Sequence, residues 1–141
     1  MATPIITYRG TVYPSHCDHM GHMNVMWYVG KFDEGTWNLL STVGFTREYM
    51  RDHNAATAGL EQNIKYHKEL MPGDTISVRT TLLEVRDRVI RAQHEMVKNE
   101  TGEVAAVMTL VIAHLDRATR RATAFPSAIK EKFLELRGAA S

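Results

Sequence analysis

The sequence has little cysteine and no long apolar run, and each shortage excludes a class of protein. A single cysteine, Cys17, among 141 residues excludes an intrachain disulfide and fits a reducing compartment. No stretch approaches the roughly 18 apolar residues that a membrane helix needs, and no basic segment followed by an apolar core opens the chain. We therefore expect a cytoplasmic protein without a membrane span.

The sequence also lacks an excess of positive or negative charge. Seventeen Lys and Arg against 16 Asp and Glu give a formal net charge of +1, so nothing in the overall charge favours binding to nucleic acid or an anionic membrane. Hydrophobic residues make up 44% of the chain and charged residues 23%, which is ordinary for a globular protein. The length predicts one domain with a single core.

Alternating apolar residues, β-branched residues and turn signals predict five strands. They are residues 5–13, 59–70, 75–85, 89–98 and 104–115. The last is almost continuously apolar, which favours a central strand covered on both faces. Proline and glycine turns at 71–74 and 99–102 separate the later strands.

Helical spacing of apolar residues predicts one long helix and two short ones. The long helix is expected to follow Asn24 as N-cap and to end at Gly44. Its apolar stripe comprises Val25, Tyr28, Val29, Phe32, Thr36, Leu39, Leu40 and Val43. Short helices are expected over 47–53 and after Pro126. The order strand, long helix, short helix, four strands predicts an α+β fold with one antiparallel sheet and a helix on one face.

A carboxylate stands just before the predicted start of the long helix. Asp18 would lie beside free backbone N–H groups and the positive end of the helix dipole. That pairing suits the stabilisation of an oxyanion next to a carboxylate nucleophile or base. Asp18 can instead cap the helix or pair with a neighbouring histidine.

The same turn offers two further chemistries. His16, Cys17, Asp18, His19 and His22 are all potential metal ligands, but their crowding matches no usual zinc spacing, so we expect no metal. Cys17 can serve as a nucleophile if a nearby histidine activates it. We expect His22 to orient Asp18 or a bound substrate.

Residues 18–28, DHMGHMNVMWY, carry an Asp, Gly-His, Asn and Tyr pattern that resembles the hotdog-fold acyl-CoA thioesterases, in their 4-hydroxybenzoyl-CoA thioesterase-like branch. The stretch 66–74, YHKELMPGD, resembles the second strand of that family and the turn after it. The resemblance spans residues 5–116. It implies a single hotdog domain over residues 1–141, with a five-stranded antiparallel sheet wrapped around a long central helix.

The resemblance also implies roles for individual residues. Asp18 matches the catalytic carboxylate, acting as nucleophile or general base, and the Val25 N–H matches the group that polarises the thioester carbonyl. Tyr28 matches an aromatic side chain that supports the acyl pocket. Arg86 and Arg88 fall where the family often binds the phosphates of CoA, although such a turn is usually just solvated.

The family implies assembly as a dimer or tetramer, with sites between subunits and with no cofactor, because CoA is part of the substrate. Residues 18–37 further resemble thioesterase domains of carnitine breakdown, which cleave betainyl-CoA. Trp27 or Tyr28 would then hold the quaternary ammonium by cation–π attraction. Packing in the core or a dimer interface is the alternative for these aromatic residues, Trp37 above all. A hotdog hydratase or dehydratase and a non-catalytic acyl-CoA-binding module are the competing functions.

Overall fold

The computed structural model describes residues 4–138 and contains the five strands and three helices that the sequence predicts. They are β1 (Ile5–Thr11), α1 (Val25–Thr42), α2 (Arg47–Asp52), β2 (Ala55–Tyr66), β3 (Thr75–Val85), β4 (Val89–Lys98), β5 (Val104–Asp116) and α3 (Ser127–Arg137). A short 3-10 turn, Pro14–His16, precedes α1.

Two strands differ from the prediction by more than one residue. The first strand ends at Thr11 and not at residue 13, because the Val12 N–H leaves the β3 ladder and donates to the Asp74 carbonyl. The second strand runs from Ala55 to Tyr66 and not from 59 to 70. Beyond Tyr66 the regular pairing stops, since the next two N–H groups both donate to the Ala105 carbonyl.

All strand pairs are antiparallel, and the order across the sheet is β1-β3-β4-β5-β2. Strand β5 is paired on both sides, as its apolar sequence predicts. Between Ala106 and Ile112 its side chains, however, alternate between buried and half-buried, so along this stretch one face of β5 meets the core. The expectation that both faces are covered is therefore wrong for this stretch of the single chain. β1 and β2 form the two edges.

Helix α1 lies on the core face of this sheet, which is the architecture of the hotdog fold that the resemblance implies. Its buried residues are Tyr28, Lys31, Phe32, Gly35, Thr36, Leu39 and Leu40. Val25 and Val29 were predicted on the buried stripe but are 57% and 38% exposed, because the sheet meets the adjacent side of the helix. Gly35 allows close packing, since a Cβ there would lie 2.9 Å from Thr7 Oγ1.

A chain of polar side chains crosses the interface between α1 and the sheet. The Thr36 hydroxyl donates to the Phe32 carbonyl, so its oxygen accepts from His94 Nε2 at 2.9 Å. His94 Nδ1 accepts from the Thr80 hydroxyl at 2.6 Å, and Thr7 donates to Thr80 at 2.8 Å. Burial lowers the pKa of His94 from 6.5 to about 4, so the ring is neutral at physiological pH.

Candidate active site

The turn that carries Asp18 is tied to the sheet and to α1 by backbone hydrogen bonds. The Asp18 N–H donates to the His22 carbonyl, and the Gly21 N–H donates back to the Asp18 carbonyl at 3.0 Å. Gly21 has a φ of +89°, which a residue with a side chain rarely adopts. The Met23 N–H then donates to the Leu70 carbonyl at 2.8 Å, which anchors the turn beside the segment after β2.

The Asp18 carboxylate accepts two hydrogen bonds. Its Oδ2 accepts from the Asn24 side-chain amide and its Oδ1 from the Met20 N–H, both at 2.8 Å. The Asn24 bond first, and the Met20 bond second, lower the pKa of Asp18. The carboxylate is therefore ionised at neutral pH and held in one orientation, although it lies at the surface.

Asn24, and not Asp18, caps α1, as the sequence predicts. Its Oδ1 accepts from the Met26 N–H at 2.8 Å while its amide group donates to Asp18. One side chain thus fixes the helix start and the carboxylate together.

The Val25 N–H is the free donor of the first turn of α1. The Met26 and Trp27 N–H groups donate to the side chain and the carbonyl of Asn24, but within residues 4–138 no acceptor for the Val25 N–H is present. The positive end of the helix dipole reinforces this donor. Asn24 links an ionised carboxylate to a free N–H, because its side chain donates to Asp18 and the next residue is Val25. A carboxylate and a polarising donor are the two groups that attack on a thioester requires.

The structure separates the two aromatic residues that the sequence grouped together. The Tyr28 side chain is 4% exposed, its hydroxyl donates to the Lys68 carbonyl, and its ring meets Tyr66 edge-on at 5.0 Å. Burial raises the pKa of Tyr28 to about 12, so it stays neutral. Trp27 instead stacks on the His16 ring, with centroids 4.0 Å apart.

Two residues of this region were missed by sequence reasoning. Tyr66 completes an aromatic pair with Tyr28, and its place as the first residue of the 66–74 motif was the available signal. Lys31 is only 2% exposed, and its ammonium donates to Tyr8 Oη at 3.2 Å. Burial and, secondarily, the charge of Lys31 lower the pKa of His16. No sequence signal marks this lysine, since lysine is rarely buried.

His22 and Cys17 lie beside Asp18 in the chain but make other contacts. His22 Nε2 is 3.9 Å from Glu69 Oε1, and its link to Asp18 is the backbone hydrogen bond described above. Cys17 Sγ donates weakly to the Tyr13 carbonyl at 3.7 Å. In the described range, 4–138, the histidines, cysteine and carboxylates form no cluster of three or more that could hold a metal ion.

Arg86 and Arg88 do not meet Asp18 within one chain. They follow the far end of β3, about 33 Å along that strand from the end that lies beside the Asp18 turn. Arg86 donates to Glu84 at 2.8 Å. Their role at the phosphates of CoA stays a prediction.

Membrane insertion has no support among the helices of the described residues, none of which is long and apolar enough to cross a bilayer. The cytoplasmic location stays a prediction.

Two curated proteins resemble the chain. It is 29% identical over 127 residues to an L-carnitine dehydrogenase/betainyl-CoA thioesterase of Agrobacterium fabrum, covering 89% of this chain but only 26% of that protein. It is 22% identical over 125 residues to a betainyl-CoA thioesterase of Pseudomonas aeruginosa, covering 89% of this chain and 79% of that protein. The chain thus spans about a quarter of the first relative and most of the second.

Fold comparison and a family model agree with this similarity. A hypothetical protein of Staphylococcus aureus, whose structure was determined in complex with CoA, superposes with a TM-score of 0.91 at 19% identity, over 97% of this chain and 85% of that one. The family model matches residues 12–133, which include every element from the Asp18 turn through most of α3. The chain belongs to the thioesterase-like superfamily and has its hotdog fold.

Proposed function

We propose that the protein hydrolyses an acyl-CoA thioester to the free acid and CoA. The observation that carries the proposal is the pair formed by the ionised Asp18 carboxylate and the free Val25 N–H at the start of α1. The N–H polarises the thioester carbonyl. The carboxylate either attacks this carbonyl, which expels CoA as thiolate and leaves a mixed anhydride that water hydrolyses, or it removes a proton from a water molecule that attacks the carbonyl and expels CoA. Membership of the superfamily supports this reaction class.

Asn24 and His22 complete the proposed catalytic group without touching the reacting atoms. Asn24 orients the carboxylate through its amide and keeps it ionised. His22 holds the turn through its carbonyl, which accepts from the Asp18 N–H.

Betainyl-CoA is our proposed substrate. The two curated relatives are named for this ester, and the ring of Tyr66, 46% exposed and in edge-on contact with the buried Tyr28, lies next to the first turn of α1. Aromatic faces attract a quaternary ammonium by cation–π interaction. Trp27 stacks on His16 instead, which favours the Tyr28–Tyr66 pair over Trp27 for this role.

Self-association through the β2 edge is part of the proposal. In the described chain, β2 pairs only with β5 and leaves its outer edge free, with Leu60 and Tyr66 59% and 46% exposed. The outer face of α1 carries further exposed apolar residues: Val25, Met26, Val29 and Trp37. Such a patch beside a free strand edge favours contact with a second copy, as a dimer or tetramer.

The test is thiol release from a panel of CoA esters with betainyl, short straight-chain, long-chain and aryl acyl groups. We expect turnover, fastest for betainyl-CoA. If betainyl-CoA is cleaved no faster than a short straight-chain ester, the substrate assignment fails but the hydrolase assignment stands. Tight binding of acyl-CoA without turnover of any ester would favour a non-catalytic module, and addition of water to an enoyl ester would favour a hydratase.

The proposed role of Arg86 and Arg88 has its own test. Because they are distant from Asp18 in one chain, we expect them to serve the CoA bound at a neighbouring subunit's site. Replacing both with Glu should raise the KM for CoA esters about tenfold but leave the KM for a small thioester unchanged. Arg47→Glu/Arg51→Glu on α2 is the matched control, and an equal effect of both double variants would contradict a specific role.

A further inference from the structure

A cavity of about 370 Å³ lies at the C-terminal end of α1. Its lining residues are Val43, Gly44, Tyr49, His53, Pro126, Ala128, Ile129 and Lys132. Val43 is 18 residues beyond Val25, about 27 Å along the helix axis. The cavity is therefore separate from the candidate active site.

The cavity exists because three helix ends meet there without filling the space between them. The chain leaves α1 through Gly44, whose φ of +90° turns the backbone away, and α2 buries none of its residues. The start of α3 covers the other side. Val43 and Ile129 are 1% and 5% exposed, so the floor of the cavity is apolar.

One wall of the cavity is held by part-buried hydrogen bonds that the proposed hydrolysis does not use. Tyr49 Oη is 3.1 Å from His114 Nε2, and His114 Nδ1 is 3.0 Å from Thr123 Oγ1. His114 is 6% exposed, and burial lowers its pKa. The Tyr49 hydroxyl is engaged in these hydrogen bonds, so its ring is the part that can contact a ligand. The His53 ring stacks on one face of the Tyr49 ring, with centroids 4.4 Å apart. Pre-formed apolar walls of this kind are typical of small-molecule sites.

The charge at the rim of the cavity is of one sign. Lys132 contributes an ammonium group, and no carboxylate is among the lining residues. Within residues 4–138 no carboxylate lies within 4 Å of Lys132, whereas Lys130 on the same helix pairs with Asp87. An apolar floor with a free ammonium at its edge complements a molecule with a hydrocarbon body and one negative end.

We propose that this cavity binds a free medium-chain carboxylic acid in its ionised form. The hydrocarbon chain packs on Val43, Ile129 and the Tyr49 ring, and the carboxylate pairs with Lys132. The site uses no residue of the Asp18 turn, so it stands whether or not the protein hydrolyses thioesters.

The test is titration of the ¹⁵N-labelled full chain with octanoate, followed by amide chemical shifts. We expect saturable shifts at Val43, Tyr49 and Ile129, and binding at least tenfold tighter than that of octylammonium, which has the same chain and the opposite charge. Ala128→Trp, at an exposed position, should fill the entrance and weaken binding more than tenfold. Lys132→Gln should weaken octanoate binding about three- to tenfold, as loss of one partly exposed ion pair does, with Arg9→Gln on β1 as the matched control for loss of charge.

Three results would overturn the proposal. One is shifts confined to Val25 and Tyr28, which would place octanoate in the active site. Another is equal affinity for octanoate and octylammonium. The last is unchanged octanoate binding by both the Ala128→Trp and the Ala128→Glu variants. Ala128→Glu places a carboxylate at the entrance, which should repel the ligand. None of these measurements depends on thiol release, so the hydrolase proposal fails or stands separately.

Discussion

Helix α1 makes two hydrogen-bond networks that differ in what they leave unsatisfied. At its middle, Thr36, His94 and Thr80 are buried, and every polar atom of the His94 ring has a partner. At its start, Asp18 and Asn24 are partly exposed, and the Val25 N–H has no acceptor among the described residues. A network in which every donor and acceptor is paired can only stabilise the fold. A network with an unpaired donor beside an ionised carboxylate can bind and activate a ligand.

The largest effect on stability is expected from breaking the buried network. His94→Leu removes the partner of Thr80 and Thr36 at a buried position, so the free energy of unfolding should fall by about 3 kcal/mol. Activity per folded molecule should not change. Urea unfolding and thiol release measure the two effects, with His67→Leu, at an exposed histidine, as the control. A variant that is as stable as the control would refute the structural role.

The buried network should also make the free energy of unfolding sensitive to acid. The His94 pKa is lowered to about 4 from 6.5, so as pH falls from 6.5 to 4 the unfolded chain takes up a proton that the folded chain does not. The His94 contribution to stability is complete above pH 6.5, and the free energy of unfolding declines by about 3 kcal/mol across this window. Burial of His114 acts in the same direction.

The measurement is urea unfolding at pH 7 and pH 4.5 for the original chain and His94→Leu. The free energy of unfolding of the variant should fall clearly less between pH 7 and pH 4.5, because the variant has no His94 whose protonation favours the unfolded chain. Identical losses in both proteins would show that other groups cause the acid sensitivity.

A smaller and more selective effect is expected at the start of α1. Asn24→Ser keeps a good N-cap but removes the amide that donates to Asp18. Stability should change by no more than about 0.5 kcal/mol, while kcat/KM falls about tenfold. The pKa of Asp18 should rise toward its ordinary value, so the acid limb of the pH–rate profile should move to higher pH. An unchanged profile would mean that Asn24 serves only as a cap.

The sequence predicted the start of α1 better than its middle, and the reason is the range of the interactions. Asp18, Asn24 and Val25 lie within eight positions, and capping is a local rule that sequence shows directly. The His94 network joins residues up to 73 positions apart, so no local pattern marks it. The burial of Lys31 and the exposure of Val25 follow from which side of α1 meets the sheet, which periodicity alone gives only approximately.

The separation of Trp27 from Tyr28 follows the same logic. Adjacent residues on a helix point about 100° apart, so the positions of β1 and β2 decide which of the two faces Tyr66. The placement of Arg86 and Arg88 depends on the length of β3 and on the assembly, which a single chain does not specify.

The most direct test of the proposed site is thiol release by the original chain and Asp18→Asn on whichever CoA ester is cleaved fastest, with urea unfolding of both proteins. We expect kcat/KM to fall at least about 10³-fold, because the nucleophile or base is lost, while the free energy of unfolding changes by no more than about 1 kcal/mol. Full hydrolysis by a folded Asp18→Asn protein would contradict both proposed roles of Asp18 and remove the carboxylate at the start of α1 from the chemistry.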